Sequence, residues 1–243
     1  MPEDPFKFKS EEQKLVEYLE RITSETKHWD TKRFNDILNI LARFNGTKAI
    51  PARFRPESLH LQNYRPAFDD LLKKTHTTGH EHGRAVLVDT ESDKVLLGKT
   101  AEGTSGEVSI YATPQKGRER YQRLVGLMHT HPYTEQHKDV AHGFSDQDYL
   151  SFLEDPRLQF TTIMYGDSIR LLCLRTSVTP KWDRKTIQRV LTDRMHEFIR
   201  SKLVYKPEHL TEFNKIICAE FGLTLYSADK NQNDLFSRMS VVE

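Results

Sequence analysis

The chain has 243 residues, enough to bury a substantial apolar interior as one large domain or as a core with appendages. Its 36 basic and 35 acidic residues leave a net charge of +1, which gives no electrostatic footprint for nucleic acid. No apolar run approaches the roughly 20 residues needed to span a bilayer, and the polar opening Met1–Ser10 lacks the pattern of a signal sequence. Cys173 and Cys218 are the two cysteines and have no C-x-x-C spacing, so the expectation is a soluble, cytoplasmic protein with no disulfide framework and no thiolate metal site.

In chain order, residues 10–45 predict two amphipathic helices. Ser10 and Gln13 make a capping box, and Leu15, Val16, Leu19 and Ile22 follow at helical spacing. Phe34, Ile37, Leu38, Leu41 and Phe44 repeat the pattern as far as Asn45-Gly46, a C-cap signal. The pair reads as a hairpin packed on the core, with docking of a partner protein as the alternative. Pro66 opens a short helix that ends near Gly79. Strand patterns follow at His80–Asp89 and Lys94–Gly98, with a turn around Glu91–Asp93, then at Val108–Ala112 and Leu124–His131. A helix is expected over Ser145–Leu153, and strands over Thr161–Tyr165 and Ile169–Arg175 around a Gly166-Asp167 turn. Beyond Pro180 two more helices are expected, the second restarting at Pro207 and ending at Gly222, then an extended Leu223–Tyr226 and a loosely ordered tail from Ser227.

The chemistry concentrates at His129-Thr130-His131-Pro132. On a strand, residues two apart share a face, so both imidazoles point the same way and can hold one metal ion. A catalytic tetrahedral site takes three protein ligands and leaves one position for water, so an oxygen ligand from another element is required. Asp148 is the candidate, near the start of the helix at Ser145. Ser145-x-x-Asp148 is also an ordinary capping box, and the two readings are compatible.

His129-Thr130-His131-Pro132 followed by Ser145-x-x-Asp148 resembles the JAMM (MPN-plus, JAB) metalloprotease family, whose pattern is an upstream Glu, then H-x-H-P, then S-x-x-D. The Pro-to-Ser spacing departs from the family's usual value of about seven residues, through an insertion at Tyr133–Phe144. The resemblance implies an α/β fold, a mixed β-sheet flanked by helices in a cytidine-deaminase-like arrangement. That core would cover residues 61–178, between helical extensions at 1–60 and 179–243. It also implies a Zn2+-dependent isopeptidase or peptidase, deubiquitinase-like, whose substrate is a ubiquitin-like protein or its conjugate. His129, His131 and Asp148 would be the ligands and Ser145 would stabilise the oxyanion. The family's general base is a Glu near a strand start with a Gly shortly after, which Glu81 fits with Gly83; Glu107 is the second choice.

Two other readings stand beside this one: an inert scaffold that keeps the fold for assembly through its helical extensions, and a hydrolase of the same fold acting on another amide. A second metal site built from His80, His82, His137 or His142 is a further alternative, weighed against the commoner case of solvated loop histidines.

Overall fold

The computed structural model describes residues 10–132, 143–165, 169–202, 209–228 and 234–240. Helix α1 (Glu11–Ser24) starts where expected: the Gln13 main-chain N–H donates to Ser10 Oγ at 3.2 Å and the Ser10 N–H donates to Gln13 Oε1 at 2.9 Å. Strand β1 (His28–Asp30) ends in the N-cap of α2 (Thr31–Arg43), where Asp30 accepts from the Arg33 N–H. The α2 stripe of Phe34, Ile37, Leu38 and Leu41 is fully buried. After β2 (Ser58–His60), α3 (Arg65–Thr78) has Pro66 in its first turn and stops at Gly79, whose φ of 73° is a left-handed value that glycine adopts without strain.

Strands β3 (His82–Asp89), β4 (Lys94–Leu97), β5 (Ala101–Glu102) and β6 (Gln122–His131) precede α4 (Asp146–Glu154). Then come β7 (Phe160–Tyr165), β8 (Ile169–Leu174), α5 (Arg184–Ser201), α6 (His209–Glu220), β9 (Thr224–Ala228) and β10 (Leu235–Arg238). Among the described residues all ten strands form one sheet, ordered β1-β2-β10-β9-β8-β7-β6-β3-β4, with β5 also on β3. It is mixed: β1–β2 and β6–β7 are parallel, the other pairs antiparallel. The sheet draws β1 and β2 from before residue 61, and β9 and β10 from after residue 178.

Strand alternation divides the core into two layers. Leu171 and Cys173 of β8 face the cluster built on α4–α6, whereas Leu172 and Leu174 face the cluster built on α1–α3. Each such side chain taken fully out of water contributes roughly 1.5–3 kcal/mol. Strand β6 follows the same rule after a register shift opposite Val86/Leu87, where Val125 is the extra residue. Beyond it Met128 faces α1–α3 and Leu127 faces α4–α6. The shift therefore decides which face receives His129 and His131: the α4 side.

Two expectations are corrected. Val108–Ala112 is not a strand. Gly83 has no side chain, and Ile110 packs into the space, its Cδ1 only 2.4 Å from where a Cβ would stand; a segment laid across the face of β3 cannot pair with its edge. The described parts of the tail are strand, because β9 runs on through Ala228 and β10, Leu235–Arg238, inserts between β2 and β9; residues 229–233 lie outside the described residues. One fully buried ring, Phe236, seats β10 against Phe68 at a centroid distance of 6.2 Å, too small an apolar signal to stand out in a polar tail. The Gly166-Asp167 turn and the restart at Pro207 lie outside the described residues. Among the described residues no helix is long and apolar enough to cross a membrane.

Candidate metal centre

Three elements deliver the site. Strand β6 ends with His129 and His131 on the α4 face, paired through Gly83↔His129 to β3 and through His129↔Ile163 and His131↔Tyr165 to β7. His129 is thus paired on both sides, whereas His131 is paired to β7 alone. Helix α4 brings Asp148 as its third residue, and β3 begins one residue after Glu81.

Asp148 divides its two oxygens between two tasks. Oδ2 accepts from the Ser145 N–H at 2.7 Å and from the Ser145 hydroxyl at 2.8 Å, completing the capping box. Oδ1 faces His129 Nε2 at 3.0 Å. His131 Nε2 lies 3.6 Å from Oδ2 and 3.8 Å from Glu81 Oε1. The two rings are 5.1 Å apart between centroids and tilted by 56°. One donor atom from each of His129, His131 and Asp148 lies within 4.8 Å of the others.

These residues fit a metal ion on two grounds. His129 Nε2 is buried and has no hydrogen-bond partner, so its 3.0 Å approach to Asp148 Oδ1 lacks hydrogen-bond alignment. The Thr162 main chain also acts on the ring, alongside the carboxylates of Asp148 and Glu81. The second ground is spacing: ligands about 2.0–2.1 Å from a tetrahedral ion stand about 3.3 Å apart. The His129 Nε2–Asp148 Oδ1 separation of 3.0 Å is close to that value, and a donor atom of His131 lies within 4.8 Å of both residues' donors.

The electrostatics are those of three facing charges in a dry site. Burial acts to raise the Asp148 pKa, but the two imidazoles outweigh it and hold the carboxyl well below the usual range. Burial acts to lower His129, and the carboxylates of Asp148 and Glu81 outweigh it, so His129 lies above its ordinary value. Glu81 is raised because burial dominates over the two imidazoles that pull it down.

The site opens into a cleft of about 560 Å³, walled on one side by Ser105–Tyr111 and on the other by α4. Its described lining includes Glu81, Glu107 and Asp148 and no lysine or arginine. Glu81 is 6 % exposed and anchored through its main chain to Thr104 and Gly103; Glu107 is exposed on the cleft wall. Ser145 lines the cleft beside Asp148.

The other histidines do not gather. His80 is exposed and bonds Glu102 at 2.9 Å, His82 is buried against Thr75, and no other described group of three donors meets the metal criterion; His137 and His142 lie outside the described residues. Asn214 is a residue that sequence reasoning passed over. Fully buried, it accepts from the Phe144 N–H at 2.8 Å and donates to the Phe144 carbonyl at 3.3 Å, fixing the chain one residue before the cap of α4. Its signal was a polar residue on the apolar stripe of Leu210, Phe213 and Ile217. Compared with known proteins, the chain matches no family model, no curated protein and no solved structure.

Proposed function

We propose that the chain is a zinc-dependent hydrolase of peptide or isopeptide bonds, of the JAMM type, acting in the cytoplasm on a ubiquitin-like protein or its conjugate. The observation that carries this reading is the unpartnered His129 Nε2 beside Asp148 and His131, three ligand-type groups gathered in the wall of an open cleft. Two imidazoles and one carboxylate suit zinc better than magnesium or calcium, which take oxygen ligands. His129, His131 and Asp148 would hold the ion, while Asp148 Oδ2 accepts from Ser145. Bound there, zinc supplies Lewis acidity that polarises an amide carbonyl and makes a water easier to deprotonate.

Glu81 takes the proton of the attacking water on Oε1 and returns it to the departing amine nitrogen. Its burial raises its proton affinity, which suits a group that must accept a proton and then release it. The Ser145 hydroxyl donates a hydrogen bond to Asp148 Oδ2, and rotation about the Cβ–Oγ bond turns the same O–H toward the developing oxyanion. Among the described residues the Val108–Ala112 segment enters no ladder, which leaves its main chain to receive an extended substrate tail as an added strand.

The test is cleavage of a ubiquitin-like protein carrying a fluorogenic amide at its C-terminus. Turnover should disappear with chelator and return with zinc. Turnover indifferent to chelator would overturn the reading, zinc uptake without hydrolysis would favour the scaffold, and cleavage confined to small amides would move the substrate class.

A further inference from the structure

Thr130 stands between the two histidines and points the other way. It is fully buried on the α3 side of the sheet, in contact with Thr75 of α3 and with His82, the residue after Glu81. The His82 N–H donates to Thr130 Oγ1 at 3.0 Å and the Thr130 hydroxyl donates to the His82 carbonyl at 3.1 Å. His82 Nδ1 lies 3.2 Å from Thr75 Oγ1, and the Thr75 and Thr130 hydroxyls are in hydrogen-bond contact. The protons can be placed consistently: His82 Nδ1–H is shared between the His80 carbonyl at 3.1 Å and Thr75, Thr75 O–H goes to Thr130, and Thr130 O–H to the His82 carbonyl.

The position of this ring gives it a consequence for the cleft. The β3–β6 ladder ends at Gly83↔His129. One step further His82 lies opposite Thr130, and there the threonine hydroxyl takes both His82 main-chain groups in place of the backbone ladder. Strand β6 itself continues on its other side, pairing Thr130↔Met164 and His131↔Tyr165. The imidazoles therefore have a second support in β7, whereas Glu81, whose own main chain is held by Thr104 and Gly103 on the side away from β6, is tied toward them through this hydroxyl.

We infer that Thr130 is a positioning residue that sets the distance between the Glu81 carboxylate and the metal-binding histidines; this rests on the hydrolase reading above. Catalysis is sensitive to such a distance, a shift of about 1 Å costing on the order of 100-fold in rate. The inference predicts that Thr130→Val lowers kcat by roughly 10- to 100-fold. KM and zinc affinity should change by less than about tenfold, because the ligands keep their own supports. Thr130→Ser restores the hydroxyl and should restore kcat.

The experiment compares wild type, Thr130→Val and Thr130→Ser by zinc titration, steady-state kinetics on the fluorogenic substrate and amide exchange at His82, each repeated in a Glu81→Gln background. The expected result is a kcat-selective loss in Thr130→Val, about tenfold or more loss of His82 amide protection, recovery in Thr130→Ser, and no further kcat loss once Glu81 is already replaced. Unchanged kcat in a folded, zinc-loaded Thr130→Val, or an equal loss in the Glu81→Gln background, would overturn the inference and leave the hydrolase reading standing. A wild-type protein that takes zinc and cleaves nothing would sink that reading, and this inference with it.

Discussion

Two His-x-His segments lie side by side in this protein, His80-Glu81-His82 leading into β3 and His129-Thr130-His131 closing β6, joined by the Gly83↔His129 pair. In the first, His80 sits in solvent on Glu102, and the His82 ring is buried with Nδ1 beside the His80 carbonyl and Thr75 and Nε2 at 3.9 Å from the same Glu102. In the second, both imidazoles face the cleft, and His129 Nε2 is left without a hydrogen-bond partner beside Asp148. Spacing is the same and chemistry is opposite. Each segment has a carboxylate near both imidazoles; what separates them is that His80 and His82 each have a hydrogen-bonded ring nitrogen, whereas the buried His129 Nε2 has no such partner and can serve a metal ion.

The largest test of that contrast is metal content. His129→Ala should leave the chain without zinc after dialysis, while His82→Ala, though less stable, should keep a single ion; mass spectrometry of the two variants reads the difference. Equal loss in both would erase the distinction. Next comes the carboxylate inside the first segment. Glu81→Gln should keep its zinc and lose about 10²- to 10⁴-fold in kcat, the range for a missing general base. Full activity in that variant, measured on the fluorogenic substrate, would pass the role to Glu107 on the cleft wall. The smallest effect belongs to the residue that supports Asp148: Ser145→Ala should cost about 0.5–2 kcal/mol of stability through the lost cap. Zinc affinity should weaken by roughly 10- to 100-fold through the lost hydrogen bond to Oδ2, as thermal melts and calorimetry would show.

Much of this arrangement could be read from local signals. The capping boxes at Ser10 and Ser145 are visible in sequence because both partners lie within one helical turn, and they appear as hydrogen bonds in the structure. The buried strands β7 and β8 announce themselves by apolar runs, and the α2 stripe by its 3.6-residue period. What could not be read depends on distant partners. β10 holds its place through Phe236 against Phe68, and Val108–Ala112 carries strand-like residues but lies over Gly83. At the site the pattern named His129, His131 and Asp148, yet not the division of Asp148's oxygens between cap and cleft, the Asn214 clamp on Phe144, or the hydroxyl ring behind Thr130. Each of those joins residues far apart in the chain, and hydrogen bonds of that kind leave no periodicity to detect.

Zinc-edge anomalous diffraction from crystals of the zinc-loaded chain tests the central claim most directly. The account predicts a single strong peak bounded by His129 Nε2, His131 Nε2 and Asp148 Oδ1, with Glu81 beside it and outside bonding distance. A peak at His80 and Glu102 instead, or no peak from protein supplied with zinc, would contradict it.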